Sequence, residues 1–327
     1  MALPVRGTRL LALAHHQPAR VLTNHELATM VDTSDDWVRS RVGVVSRRIA
    51  GPDESVADMS TGAAAKAVAR AGVDAAEVDL VVVATCTAVD RMPSVAAVVA
   101  RRLGLPSPAV FDVNAACAGF CYALSTADLA IRGGAGRTAL VIGADKMSDF
   151  LDWQDRSTCV IFGDGAGAAV LTAGTADGGT AADAVGPVVW GSRPERGGAI
   201  TLGSPSPTGP PALFRQEGGT VYRWAITELA PLARSACARA GVAVEDLAAV
   251  VTHQANVRII ESLARQIGAT NAVVARDLVE SGNTSAASVP MALSKLLERG
   301  EVPSGAPVLL LGFGAGLSYA AQVVRCP

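Results

Sequence analysis

The chain repeats itself. Ala69–Val73 reads ARAGV, and Ala238–Val242 reads ARAGV again. Each copy leads through an acidic turn into an apolar strand, VDLVVVATC ending at Cys86 and EDLAAVVTH ending at His253. Further on, Ala123-Leu124-Ser125 recurs as Ala292-Leu293-Ser294, and Leu140-Val141-Ile142-Gly143 is echoed by Leu309-Leu310-Leu311-Gly312. The offset stays between 167 and 169. One such match is coincidence; an ordered series at a steady offset is a duplicated folding unit.

Each unit reads helix, apolar strand, loop, strand, helix, strand and a last antiparallel strand. In the first unit the periodicity predicts helices at 55–71 and 94–103, and strands at 80–84, 110–113, 138–143 and about 167–172. A further helix begins near Cys117. In the second, helices are expected at 222–240, 257–266 and 287–299, and strands at 248–252, 273–274, 308–312 and 319–325. Near-continuous apolar strands alternating with helices require sheets covered on both faces. The expectation is an α/β fold, a five-layer αβαβα sandwich of two duplicated halves, 1–175 and 176–327, with the duplicated helices as its central layer. Gly186–Gly219, with GSPSPTGPP at its centre, is too rich in Pro, Gly and Ser for a central element and reads as a linker or a flap over a pocket.

Composition narrows the function classes. Aromatic residues are 4% against 50% hydrophobic, so the core is Ala, Val and Leu, which suits closely packed layers. A net charge of −2 gives no footprint for nucleic acid. No apolar run reaches the roughly 18 to 20 residues of a membrane span, and the N-terminus lacks a signal-peptide core. The six cysteines form no CxxC pair and no metal-ligand spacing. A reduced, cytoplasmic protein without metal or cofactor is the expectation.

The stretch FDVNAACAGFCYAL, 111–124, runs from a short strand through a small-residue bend into a helix apolar on almost every side. Such a helix belongs inside a large protein. Cys117 then sits at its buried N-terminus, where the helix dipole favours a thiolate nucleophile; the competing reading is an inert core thiol. His15, His16 and His25 lie in polar sequence and read as surface side chains. His253 instead ends a buried strand, where α/β proteins place chemistry. In SGNTSAAS, Asn283, Thr284 or Ser285 could simply cap a helix. The repeat sets Cys117 and Asn283 at equivalent helix ends and Cys86 and His253 at equivalent strand ends. About a pseudo-twofold axis, Cys117, His253 and Asn283 would meet in one chamber.

The stretches DVNAACAGF, THQANVRII, GNTSAASVP and LGFGAGLSYA closely resemble the β-ketoacyl-acyl-carrier-protein synthase III family of the thiolase fold. The likeness runs from SDDWVRSRVG to the C-terminal strand. It implies a decarboxylative Claisen condensation of an acyl-CoA with malonyl-acyl-carrier protein, starting fatty-acid chains, in a homodimer. Cys117 resembles the acylated nucleophile, with His253 and Asn283 as its partners. The Cys117 N–H and one from Ala315 would form the oxyanion hole. Trp37, Arg41, Arg156 and Asn256 resemble CoA and pantetheine contacts, and Met92 and Phe313 fall at the acyl pocket. Arg223, Arg258 and Arg265 would face an acidic carrier protein. Two departures stand out: Gly-Ala-Gly at 314–316 where relatives often carry three glycines, and Met92 where a relative commonly presents an aromatic across the dimer interface. GDGAG at 163–167 lacks phosphate-loop spacing and reads as a turn into a strand. The alternatives are a polyketide priming synthase with another starter, a Cys117-dependent acyltransferase that makes no carbon–carbon bond, and a dimeric scaffold with a decayed site.

Overall fold

The structure, a computed structural model, describes residues 7–90, 92–174, 185–203 and 213–327. The strands are β1 Thr8–His16, β2 Arg20–Thr23, β3 Ser46–Ile49, β4 Leu80–Ala84, β5 Ala109–Val113, β6 Thr138–Lys146 and β7 Asp164–Ala173. They continue with β8 Val189–Ser192, β9 Ile200–Leu202, β10 Phe214–Gln216, β11 Ala249–Thr252, β12 Val273–Val274, β13 Pro307–Gly314 and β14 Ser318–Arg325. The α-helices are α1 Asn24–Leu27, α2 Asp35–Arg41, α3 Val56–Ala71, α4 Val95–Arg102, α5 Gly119–Arg132, α6 Gly218–Ala240, α7 Val257–Ile267, α8 Leu278–Ser281 and α9 Ser288–Glu298.

The duplicated sequence folds into two sheets of one topology. The first has the order β5-β4-β6-β7-β1, the second β12-β11-β13-β14-β8. In both, the second strand lies parallel to its two neighbours, and the two further pairings are antiparallel. The repeated ARAGV ends a helix each time with its glycine in the left-handed region, φ +65° at Gly72 and +66° at Gly241. A residue with a Cβ is disfavoured there, so the motif is a helix stop.

Alternation along each strand sorts the layers. Leu80, Val82 and Ala84 face inward with Ala249, Val251, Val308 and Leu310, around Phe120, Leu124, Leu293 and Leu296 of α5 and α9. Val81, Val83, Leu140 and Ile142 face outward under α3 and α4. Val250, Leu309 and Leu311 face outward under α6 and α7. The order is helices, sheet, α5 with α9, sheet, helices, which is the expected αβαβα sandwich.

The expected strands and helices are present with small end shifts, and GDGAG leads directly into β7. β1 was not foreseen: a register shift between Leu10 and Ala12 breaks the period-two pattern that marks a strand. In consequence His15 is not a free surface side chain. It is partly buried, with Nδ1 2.9 Å from Ser294 Oγ on α9. Of Gly186–Gly219, β8 forms a sheet edge and β9 pairs with β10; residues 204–212 and the expected boundary at 175/176 lie outside the described residues. No helix among the described residues is long and apolar enough to cross a membrane.

Close approach of the layers rests on glycine. A methyl group on Gly143 of β6 would lie 2.4 Å from the Ala286 carbonyl oxygen. Gly143→Ala must therefore push backbone apart. It should lower stability by about 1–3 kcal/mol, read as a fall in Tm by thermal denaturation.

Candidate active site

The backbone sets the site before any side chain does. After β5, the Asn114 carboxamide oxygen accepts the Ala116 N–H at 3.2 Å, and Ala116 takes φ +45°. A 3-10 turn at 116–118 then runs into α5, with Cys117 in that turn. The second half repeats the device. Asn283 Oδ1 accepts the Ser285 N–H at 2.9 Å, Ser285 takes φ +51°, and a 3-10 turn at 285–287 runs into α9. These are the two non-glycine residues with positive φ among the described residues. Such strain is held only where the surroundings demand it. The structural register therefore pairs Asn114 with Asn283 and Cys117 with Ala286. This corrects the expected pairing of Cys117 with Asn283 by three residues, because the Asn-led turn precedes the helix in both halves.

Cys117 is buried at the head of the central layer. A methyl on Gly314, the last residue of β13, would sit 2.7 Å from Cys117 Cβ, and one on Gly312 would sit 3.0 Å from Ala118 Cα. Both positions must be glycine for β13 to end against the helix start. Between them Phe313 turns away, edge-on to His253 at 5.2 Å and to Trp224 at 6.2 Å. Ala315 has no positive φ; Gly316, at +126°, takes that conformation instead, so Gly-Ala-Gly is sufficient here. The Ser285 hydroxyl donates to Cys117 Sγ at 3.5 Å and lies 3.8 Å from Cys86 Sγ.

His253 follows β11 and donates its N–H to the Leu311 carbonyl at 2.7 Å. Its Nδ1 lies 2.7 Å from Ser288 Oγ, which also accepts the Gln254 N–H at 3.4 Å. Burial dominates the electrostatics. It drives the Cys117 thiol up to about 12, with the Asp145 charge adding and the Ser285 hydrogen bond opposing. Burial also drives His253 down to about 3. Against the expectation that the helix dipole favours a thiolate, burial pushes the thiol upward although Cys117 borders a cavity. At neutral pH the pair is a thiol and a neutral imidazole.

Two cavities adjoin these residues. One, of about 510 Å³, is lined by Cys117, Cys86, Ser285 and Ala315 and walled by Phe150 and Phe214 among others. The second, of about 580 Å³, is lined by Asn283, Trp37, Arg41, Asn256, Arg258 and Tyr222 among others. Where one chamber was expected, Cys117 thus lines one cavity and Asn283 the other. His253, 2% exposed, is among the walls of neither. The three are joined instead by contacts, through Ser285 between Asn283 and Cys117, and through Phe313 and Gly314 between His253 and Cys117.

Around the second cavity, Arg156 stacks over Trp37 at 5.2 Å and bonds the Asp32 carbonyl at 3.0 Å. Asn256 caps α7 through the Arg258 N–H and donates to the Arg41 carbonyl at 3.0 Å, while Arg258 reaches the Ser40 carbonyl at 2.6 Å. Arg223 and Arg265 are exposed on α6 and α7. Met92 is 90% exposed, and neither it nor Phe313 is among the walls of the 510 Å³ cavity. Among the described residues no three His, Cys, Asp or Glu side chains cluster as a metal would need. The sequence reading missed Ser288, which fixes the His253 ring, and Ser285 as a thiol contact. Both lie inside the quoted GNTSAASVP, and their signal there is only that of polar residues opening an apolar helix.

Residues 111–189 match the family model for 3-oxoacyl-[acyl-carrier-protein (ACP)] synthase III, and 237–326 match that for its C-terminal part. The chain is 62% identical over 325 residues to β-ketoacyl-[acyl-carrier-protein] synthase III 4 of Streptomyces coelicolor, covering 98% of this chain and 99% of the relative. It is 61% identical to synthase III 2 of Streptomyces avermitilis, covering 99% and 100%. The chain belongs to the β-ketoacyl-acyl-carrier-protein synthase III family. Among solved structures of the thiolase-like fold, the priming β-ketosynthase of the R1128 polyketide pathway superimposes with a TM-score of 0.94 at 41% identity, covering 100% of this chain and 98% of that one. The synthase III of Pseudomonas aeruginosa gives 0.92 at 38%, covering 98% and 99%.

The state of His253 has a measurable consequence. Its folded pKa of about 3 lies below the ordinary 6.5, so between those values the unfolded chain takes up a proton that the folded one refuses. Stability then falls as pH drops through that window, by up to about 1.4 kcal/mol per unit. His253→Gln should flatten the fall in Tm measured from pH 6.5 to 4. His15, also held low by burial, contributes equally to both proteins.

Proposed function

We propose that Cys117 carries the acyl group of a decarboxylative condensation for which the 510 Å³ cavity receives the acyl chain and the 580 Å³ cavity the pantetheine arm. In the first half-reaction the Cys117 sulfur attacks the acyl-CoA thioester carbon. The oxyanion is held by the N–H groups of Cys117 and Ala315. The carbon–sulfur bond to CoA breaks, and the proton lost by Cys117 leaves on the CoA thiol. Because the resting sulfur is a thiol, proton loss accompanies attack rather than preceding it.

In the second half-reaction malonyl-carrier loses CO₂, and negative charge collects on its thioester oxygen as the enolate. With the Ser288 hydroxyl donating to His253 Nδ1, the ring proton sits on Nε2 as a donor. Asn283 Oδ1 is occupied by the Ser285 N–H, which leaves Nδ2 as the second donor. Two neutral donors that stay neutral at every working pH suit an enolate. The enolate carbon then attacks the acyl-Cys117 carbonyl, forms the carbon–carbon bond and returns the sulfur, which takes up a proton. The observation that carries this reading is the meeting of Cys117 and Asn283 through Ser285 at the head of the central helix layer, with His253 joined to it through Phe313 and Gly314.

Trp37 and Arg156, with Arg41 and Asn256, are the contacts for the nucleotide and pantetheine. Arg223, Arg258 and Arg265 face the acidic carrier. The two halves, 1–175 and 176–327, divide the site, since the nucleophile comes from the first and its two donors from the second. β5 is one of the two edges of its sheet, and the side chain of Phe111 on it is exposed. A second copy pairing there would cover that edge and bring Met92 of one protomer toward the acyl cavity of its partner. Six free cysteines suit a cytoplasmic setting. A polyketide-priming role would use the same residues with another starter, and the likeness to the R1128 enzyme keeps it open as a second reading.

Cys117→Ala should abolish the mass shift that acyl-CoA leaves on the intact protein. Asn283→Ala should still load the acyl group while condensation falls by about 10²-fold or more. Wild-type condensation by Asn283→Ala would refute the enolate assignment. A panel of acyl-CoAs in the same mass-spectrometric assay identifies the starter.

A further inference from the structure

The register that pairs Cys117 with Ala286 also pairs Gly314, at the end of β13, with Asp145, near the end of β6. The two strand ends meet the opposite half in the same way. β13 abuts the Cys117 turn, and β6 abuts the Ala286 turn. At the first junction glycine brings no side chain: a methyl on Gly314 would fall 3.1 Å from Cys117 Sγ and 3.4 Å from its backbone nitrogen. At the second, Asp145 Oδ2 accepts the Ala286 N–H at 3.0 Å. Its other oxygen accepts from Thr85 Oγ1 at 3.0 Å, Cys86 N at 2.8 Å and Thr87 Oγ1 at 2.8 Å. The carboxylate is fully buried.

We infer that the fold builds the same N–H site twice, that Gly314 leaves the Cys117 N–H open for the substrate oxygen, and that Asp145 permanently occupies the Ala286 N–H as a positioning residue, the neighbouring Lys146 N–H going to Thr87 Oγ1 at 2.8 Å. The chemistry follows from the donors. A buried helix start presents N–H groups that need an anion or acceptor. In the Cys117 half the developing oxyanion meets that need during the reaction. In the Ala286 half no reaction occurs, and an empty pocket would leave the turn without its acceptor. Asp145 supplies the acceptor and ties the Ala286 turn to the Cys86 loop. It thereby holds Ser285, in its left-handed conformation, with its hydroxyl on the Cys117 sulfur.

The inference rests on Cys117 being the acylated residue, so wild-type acylation is measured alongside. Asp145→Ala should lower kcat for Cys117 acylation by about tenfold or more, with KM for acyl-CoA little changed, because the nucleophile is misplaced rather than the binding cavity. Sodium formate, a carboxylate small enough to occupy the emptied pocket, should restore part of that rate. It should not help Asp145→Asn, whose amide still fills the space. Wild-type kcat in Asp145→Ala, or a loss that formate leaves untouched, overturns the inference. Should Asp145→Ala not fold, Thr87→Ser, which keeps the hydroxyl on the carboxylate and on the Lys146 N–H, is compared with Thr87→Val, which removes both bonds. A kcat lower by about threefold or more in Thr87→Val than in Thr87→Ser, at constant KM, supports the inference, and an equal kcat overturns it. Absence of any acyl adduct on the wild-type protein would instead fail the Cys117 reading and this inference with it. Normal wild-type acylation with unaffected variants fails this inference alone.

Discussion

Everything in this molecule depends on two helix starts being buried end-on between two sheets. A helix N-terminus carries N–H groups with no partner inside the helix, and burying them without acceptors is costly. α5 and α9 begin in the middle of the sandwich; the Ala286 start takes its acceptor from Asp145 at the opposing strand end, whereas Gly314 offers the Cys117 start no side chain. Only small residues allow the approach: Gly143 meets the Ala286 carbonyl, Gly312 meets Ala118, and Gly314 meets Cys117. The alanine-rich, aromatic-poor composition is the same requirement seen across the whole chain. Large side chains at the layer contacts would separate the sheets and open the site.

That geometry also decides the electrostatics. An enclosed cysteine and an enclosed histidine could ionise each other if they touched through a direct hydrogen bond. Here Ser285 lies on the sulfur and Ser288 on the imidazole, so neither ring nor thiol gains a charged partner. Desolvation then dominates at both, raising one against the Ser285 hydrogen bond and lowering the other. The outcome is a site without fixed charge at its reacting atoms.

Much of the fold was legible because its signals are local and repeated. The apolar strands expected at 80–84 and 248–252, the repeated ARAGV and the small-residue bend before Cys117 declare themselves in short windows. What escaped has a physical reason in each case. β1 carries a bulge between Leu10 and Ala12, so its alternation is broken just where a strand pattern would be sought, and with it went the partly buried place of His15. The three-residue error in matching Asn283 to Cys117 arose because helix heads were aligned by chemistry, whereas the backbone aligns them by φ at Ala116 and Ser285. The thiol state was misjudged because a sequence announces a helix dipole but not the depth of burial that overrides it. The division that sets Cys117 on one cavity and Asn283 on the other depends on the packed three-dimensional arrangement, which no short motif records.

Duplication explains how such a site can be asymmetric without a new fold. Both halves retain the Asn-led turn, the strained residue after it and the 3-10 entry into a helix. Yet the residue at the equivalent place is Cys117 in one and Ala286 in the other. The strand end opposite the cysteine is Gly314, and the strand end opposite the alanine is a buried aspartate. A carboxylate at 314 would collide with Cys117 and crowd its backbone N–H, while a glycine at 145 would strip four donors of their acceptor. Each exchange is unfavourable alone, so the pair of choices locks together. One pocket is committed to structure, which frees its twin for chemistry.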